Sequence, residues 1–146
     1  MKKDDVPQDV GILQEWHAVS YAVEEDGSYA LVPSAGWDAA NLANDQAWKV
    51  IAADVMVALS RIESEGASPL VYHMARNQMD VALLASYVKM ARWRVRRHLQ
   101  AKHYKKLSTK ILNRYATIFK MNIEQLDLVP KLAEMSQQST RQEEVK

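Results

Sequence analysis

The stretch Leu84-Ala85-Ser86-Tyr87-Val88-Lys89-Met90-Ala91-Arg92-Trp93-Arg94-Val95-Arg96-Arg97-His98-Leu99 decides how this chain is read. Up to Val88 its apolar residues recur at helical spacing. From Arg92 on, arginine occupies every side of the helix but one. On a helical wheel of residues 91–100, Val95 and Leu99 share one face with Ala91 beside them. Trp93, Arg96, Arg97 and Gln100 lie on the far side. A short helix with a thin apolar side and a broad Arg/Trp side turns the second side outward. Such a helix fits the DNA major groove, where arginine can bond guanine O6 and N7 together. Trp93 also has a plainer reading, as a ring packed in an apolar seam between helices.

The surroundings strengthen the electrostatic part of this. Between Val81 and Ile123 there are eleven Lys/Arg and no Asp/Glu: Lys89, Arg92, Arg94, Arg96, Arg97, Lys102, Lys105, Lys106, Lys110, Arg114 and Lys120. Solvated helix faces normally mix signs, because opposite charges four residues apart stabilise a helix and like charges destabilise it. An all-positive stretch gives up that support, and an anionic partner explains it most simply. Nucleic acid comes first among such partners.

Further out, the charge reverses. The 146-residue chain has a net charge of +1, but residues 1–66 carry four Lys/Arg against twelve Asp/Glu, a net of −8. Residues 67–130 carry twelve against three, a net of +9, and residues 131–146 carry three of each. Three segments follow: an acidic module over 1–66 for dimerisation or regulation, a basic domain over 67–130, and a flexible tail over 131–146. Glu63-Ser64-Glu65-Gly66-Ala67 is the expected linker.

The elements can be placed roughly. Residues 1–15 form a loosely held arm. Residues 16–32 form a β-hairpin about Glu24-Glu25-Asp26-Gly27, with a two-residue Asp-Gly turn of type I′ and a stop at Pro33. His17, Val19, Tyr21 and Val23 share one face of it, and a lone hairpin must pack on something. Residues 38–64 form a long amphipathic helix whose stripe is Trp48, Ile51, Ala52, Val55, Leu59 and Ile62. Asn41 or Asn44 is its N-cap and Gly66 its C′ residue. Ser68-Pro69 opens the next helix, to about Gln78, with Ser68 as cap. No Gly or Pro occurs between Leu70 and Val129, so the later helices depend on polar caps. Asp80 caps 81–88, Ser108 or Thr109 caps 109–119, and Asn122 caps 123–128.

Residues 69–126 resemble the lambda repressor-like, Cro-type helix-turn-helix domain. One block is the Leu84-Ala85 pair, three residues, a turn, and then a helix around Val95. The other is Tyr115-Ala116-Thr117-Ile118-Phe119-Lys120-Met121-Asn122-Ile123-Glu124-Gln125-Leu126, which stands where the family has an aliphatic-Ala pair leading to a short capped helix. Two positions depart from the family pattern: Lys89 replaces the usual glycine of the turn, and Val81 replaces a phosphate-holding glutamine. No glycine follows the third helix either, which is therefore expected to run long. The resemblance implies a mainly α fold: an N-terminal β-hairpin plus long helix, followed by a five-helix bundle whose third helix enters the groove. By position, Arg92, Trp93 and Arg96 would meet base edges. Lys89, Arg94, Arg97, Lys102, Lys105 and Lys106 would meet phosphates. The implied protein is a repressor-like transcription regulator that binds double-stranded DNA, as a homodimer through the apolar surface of helix 38–64. The alternative is an antitoxin-like or protein-interaction module on the same fold, with DNA binding secondary. Residues 1–66 are also where a small-molecule or protein effector would act.

Other classes fit poorly. With no cysteine there are no disulfides, thiol nucleophiles or Cys-based zinc sites. There is no Gly-rich phosphate loop and no H-E-x-x-H, and His98 and His103 fall on different helical faces, exposed to solvent or DNA. No cofactor, metal or catalytic group is expected, and Glu24, Glu25 and Asp26 read as a solvated turn. The methionines, Met56, Met74, Met79 and Met90 among them, read as core filler. No apolar run reaches the ~20 residues of a membrane span. The N-terminus lacks the apolar core of a signal peptide, and a cytoplasmic protein is expected.

Overall fold

Alternating residues on either side of Glu24–Ser28 pair as an antiparallel hairpin, β1 (Ala18–Val23) with β2 (Tyr29–Ser34), in the register Tyr21↔Leu31. The computed structural model describes residues 1–11, 13 and 15–135 of the chain. The hairpin turn differs from the expected two-residue type. Gly27 N–H donates to Glu24 O at 3.1 Å and Gly27 alone has positive φ, +83°, so the loop has three residues ending in a left-handed glycine. Pro33 does not stop the strand but sits inside it opposite Val19. Proline is tolerated because both strands of a two-stranded sheet are edges. The arm is tied down rather than loose: Val23 N–H donates to Met1 O at 3.0 Å and Asp9 N–H to Gly36 O at 3.1 Å. The covered face of the hairpin is the one with small residues, where Ala22 and Ser34 are each 1% exposed. Val19, Tyr21, Tyr29 and Leu31, on the other face, are exposed.

The long apolar period produces α1 (Asp38–Ser64). It starts before Asn41 and Asn44, so neither caps it; Asn41 donates instead to Asp9 O at 2.9 Å. Gly66 has φ +66°, as a C′ residue requires. Chain contacts divide the molecule into Met1–Val50 and Ile51–Lys146. The boundary therefore falls inside α1, not at the expected 66/67. The reason is packing: of the expected stripe, Val55 and Leu59 are buried with Tyr72, whereas Trp48 is exposed.

Within the second unit lie α2 (Leu70–Arg76), α3 (Val81–Val88), α4 (Arg92–His98), α5 (Ala101–Tyr104), α6 (Thr109–Ile118) and α7 (Ile123–Leu126). Leu70, Leu84, Val95, Tyr115 and Leu126 form the centre of its core, each 0% exposed. Burying side chains of this size stabilises by about 1.5–3 kcal/mol each. The expected 131–146 tail is held at its start. Leu132 and Met135 pack against the Val55–Leu59–Tyr72 cluster, and Leu132 N–H donates to Glu63 Oε1 at 2.9 Å. The rest of it, 136–146, lies outside the described residues.

Without glycine, three helices end by one repeated device. Gln78, Lys89 and Lys120 have φ of +52°, +53° and +55°. The methionine after each donates its N–H five residues back, Met79 to Met74 O, Met90 to Ala85 O and Met121 to Ala116 O, at 2.9–3.1 Å. Each left-handed residue also donates three residues back. These are Schellman ends, in which an apolar residue folds back onto the last turn. All three methionines pack against the core. The next residue then caps the following helix in two cases. Asp80 accepts from Leu83 N–H at 2.7 Å, and Asn122 forms a capping box with Gln125. Ser68 does not act as the expected cap: its hydroxyl is buried without a partner, and Pro69 has helical dihedrals at the start of α2.

Candidate nucleic-acid interface

The site begins where α3 ends. Lys89 in the left-handed region and Ala91 in extended conformation (ψ 141°) turn the chain sharply before Arg92. Both α3 and α5 pack against α4. On α4, Val95 is 0% and His98 7% exposed, and these two seat the helix on the core. Arg92, Trp93, Arg94, Arg96 and Arg97 are all exposed. So are Lys89, Lys102, Lys105 and Lys106. All nine residues singled out from the sequence thus face outward within one stretch from the end of α3 to just past α5. Trp93 is 64% exposed and belongs to no core cluster, so the seam reading fails.

The helix around 91–100 does not run long. It stops at His98, and α5 follows as a separate turn of helix. Buried Tyr104 anchors α5, and burial with Asp127 as hydrogen-bond partner pushes its hydroxyl pKa up. The joint between α4 and α5 is stitched to the start of α2: Ser68 N–H donates to Leu99 O at 2.8 Å and Ala101 N–H to Gly66 O at 2.9 Å.

His98 is not exposed, as it was expected to be. Its Nδ1 lies 2.9 Å from the Tyr115 hydroxyl, and both side chains are buried. Burial lowers the His98 pKa, and Arg94, His103 and Arg97 add to the effect. Burial holds the Tyr115 hydroxyl up, at about 12. A neutral pair therefore lies directly beneath the cationic helix. The sequence hides this pair, because the two residues are far apart in the chain and His98 sits in a run of arginines. Arg97 Nε donates to His103 Nδ1 at 3.3 Å, which draws this arginine toward α5. His103, partly exposed, also has a lowered pKa, through desolvation and then Arg97, Lys102 and Lys106.

Among the described residues no acid pairs with these charges. The ion pairs among the described residues are Lys3–Glu24 and Arg61–Glu65, so none of the nine site residues is paired with a carboxylate. Two exposed apolar residues on α3, Leu83 and Tyr87, extend the surface beside it and were not singled out from the sequence. No three His, Cys, Asp or Glu side chains converge among the described residues. Among the described residues no helix is long and apolar enough to cross a membrane.

No family model, curated protein or solved structure matches the chain. What the surface can do therefore rests on its own chemistry: a short helix, seated on the core by Val95 and His98, that presents exposed guanidinium groups without carboxylate partners among the described residues and one exposed indole.

Proposed function

We propose that residues 69–126 act as a lambda repressor-like helix-turn-helix domain, and that the chain is a cytoplasmic, sequence-specific regulator of transcription that binds double-stranded DNA. In this reading α3 lies across the backbone and α4 enters the major groove. One observation carries it above the rest: α4 seats only Val95 and His98 on the core and turns Arg92, Trp93, Arg94, Arg96 and Arg97, none ion-paired, to solvent. Arg92, Trp93 and Arg96 take base edges. Lys89, Arg94, Arg97, Lys102, Lys105 and Lys106 take phosphates, and so set register and affinity rather than sequence. The engagement of Arg97 with His103 supports its place among the second group.

The protein acts as a homodimer on half-sites about 34–36 Å apart. Exposed Leu42, Trp48, Val50 and Val57 on α1 support a contact between copies. The exposed apolar face of the hairpin, Val19, Tyr21, Tyr29 and Leu31, favours a second reading, in which the first unit holds a protein partner and DNA binding is secondary. Selection of bound sequences from a random duplex library by the full chain separates the two. A symmetric motif is expected. Recovery of no enriched sequence would leave the interaction module as the better reading.

A further inference from the structure

We propose that Trp93 reads the C5 methyl group of a pyrimidine, thymine in ordinary DNA, on the floor of the major groove. The inference rests on the DNA-binding reading and adds the chemistry that α4 selects. At about 100° per residue, Trp93 lies roughly opposite both Val95 and His98, the two residues that seat α4. It thus occupies the crest of the helix, with Arg96 and Arg97 on either side. At 64% exposure the indole is mostly open to solvent and belongs to no core cluster. Among the described residues it stacks on no other ring.

A crest residue reaches deepest into a groove. The floor there presents hydrogen-bonding atoms for every base pair, and one apolar group, the pyrimidine methyl. The faces and carbon edge of an indole set against N7, O6 or N4 would strip water from these atoms and leave them unpaired, which costs free energy; its single Nε1–H can serve at most one acceptor. Against a methyl it buries apolar surface on both sides. Arg92 and Arg96, on the same side of Trp93, then supply the guanine contacts. The recognised step is accordingly a 5-methylpyrimidine beside guanine.

The test uses the full chain and its selected duplex. Each thymine is replaced in turn by deoxyuridine, which removes the methyl alone. One position per half-site is expected to weaken binding about fourfold, the effect of one buried methyl, and Trp93→Ala is expected to bind both duplexes equally. Circular dichroism shows whether that variant is folded; Trp93→Phe, which keeps a ring at the crest, is expected to retain part of the discrimination. Placing a 5-methylcytosine–guanine pair at the sensitive position distinguishes the sources. Tighter binding than with unmethylated cytosine shows that any C5 methyl serves, and no gain shows that thymine alone is read. If every thymine tolerates uracil while the duplex stays bound, or if Trp93→Ala keeps the discrimination, the role of Trp93 is overturned and the DNA reading stands. If no duplex is bound at all, the DNA reading falls and takes this inference with it.

Discussion

Lys89 shows how a single residue can hold a strained conformation because its neighbours require it. A non-glycine residue in the left-handed region costs about 1–2 kcal/mol. Here the cost is offset by two backbone hydrogen bonds at the end of α3 and by Met90 packing on the core. Lys89→Gly should therefore raise stability by about 0.5–1 kcal/mol, net of the extra chain entropy that glycine brings, as measured by urea unfolding. A loss of stability would mean that the lysine side chain contributes more than its backbone angle costs. The His98–Tyr115 pair behaves in the opposite way. Tyr115→Phe leaves a buried ring nitrogen without its partner and should destabilise by about 1–3 kcal/mol, read from the same unfolding curves. The outward positions of α4 were legible in the sequence because arginine is almost never buried unpaired. The inward role of His98 was not, because histidine is equally at home on either side of such a helix.

At the scale of elements, only two of the expected caps could be read, and the turns could not: Ser68 and Ser108 make no side-chain cap bond. Asp80 and Asn122 stand where short polar side chains satisfy free N–H groups, and both act as caps. Asp80→Ala should lower stability by about 1 kcal/mol, visible as a lower melting temperature. An unchanged value would mean that the Schellman end at Met79 fixes the start of α3 by itself. Schellman ends are usually announced by glycine. Here they are written as Gln78-Met79, Lys89-Met90 and Lys120-Met121, a signal that composition does not carry. The hairpin was placed correctly, but which of its faces is covered was not legible in its alternation. Large alternating residues suggest a buried face, yet the small residues Ala22 and Ser34 are the ones that let the backbone approach its neighbours. Trp48 fell on the expected α1 stripe but lies in the part of that helix before the second core begins.

For the whole molecule, the net charge of +1 conceals an acidic N-terminal part and a basic bundle whose cations form no ion pair with a carboxylate among the described residues. The bundle has its own pH dependence. Burial is the largest cause that lowers the pKa of both His73 and His98. The unfolded chain then takes up protons near pH 6.5 that the folded chain refuses, so stability is full above about pH 6.5 and falls as pH drops through the folded values. Each histidine contributes a slope of up to about 1.4 kcal/mol per pH unit in that window. The urea midpoint should accordingly fall between about pH 6.5 and pH 5; a flat profile would mean that both histidines titrate alike in the folded and unfolded chain.

In the proposed function, the exposed cations from the end of α3 to just past α5 bind duplex DNA through its phosphates. The most direct test is the affinity of the full chain for duplex DNA as a function of salt. If roughly six phosphates are neutralised, log K should fall with log salt at a slope of about −5. A slope near zero, or no binding to any duplex at low salt, would contradict it.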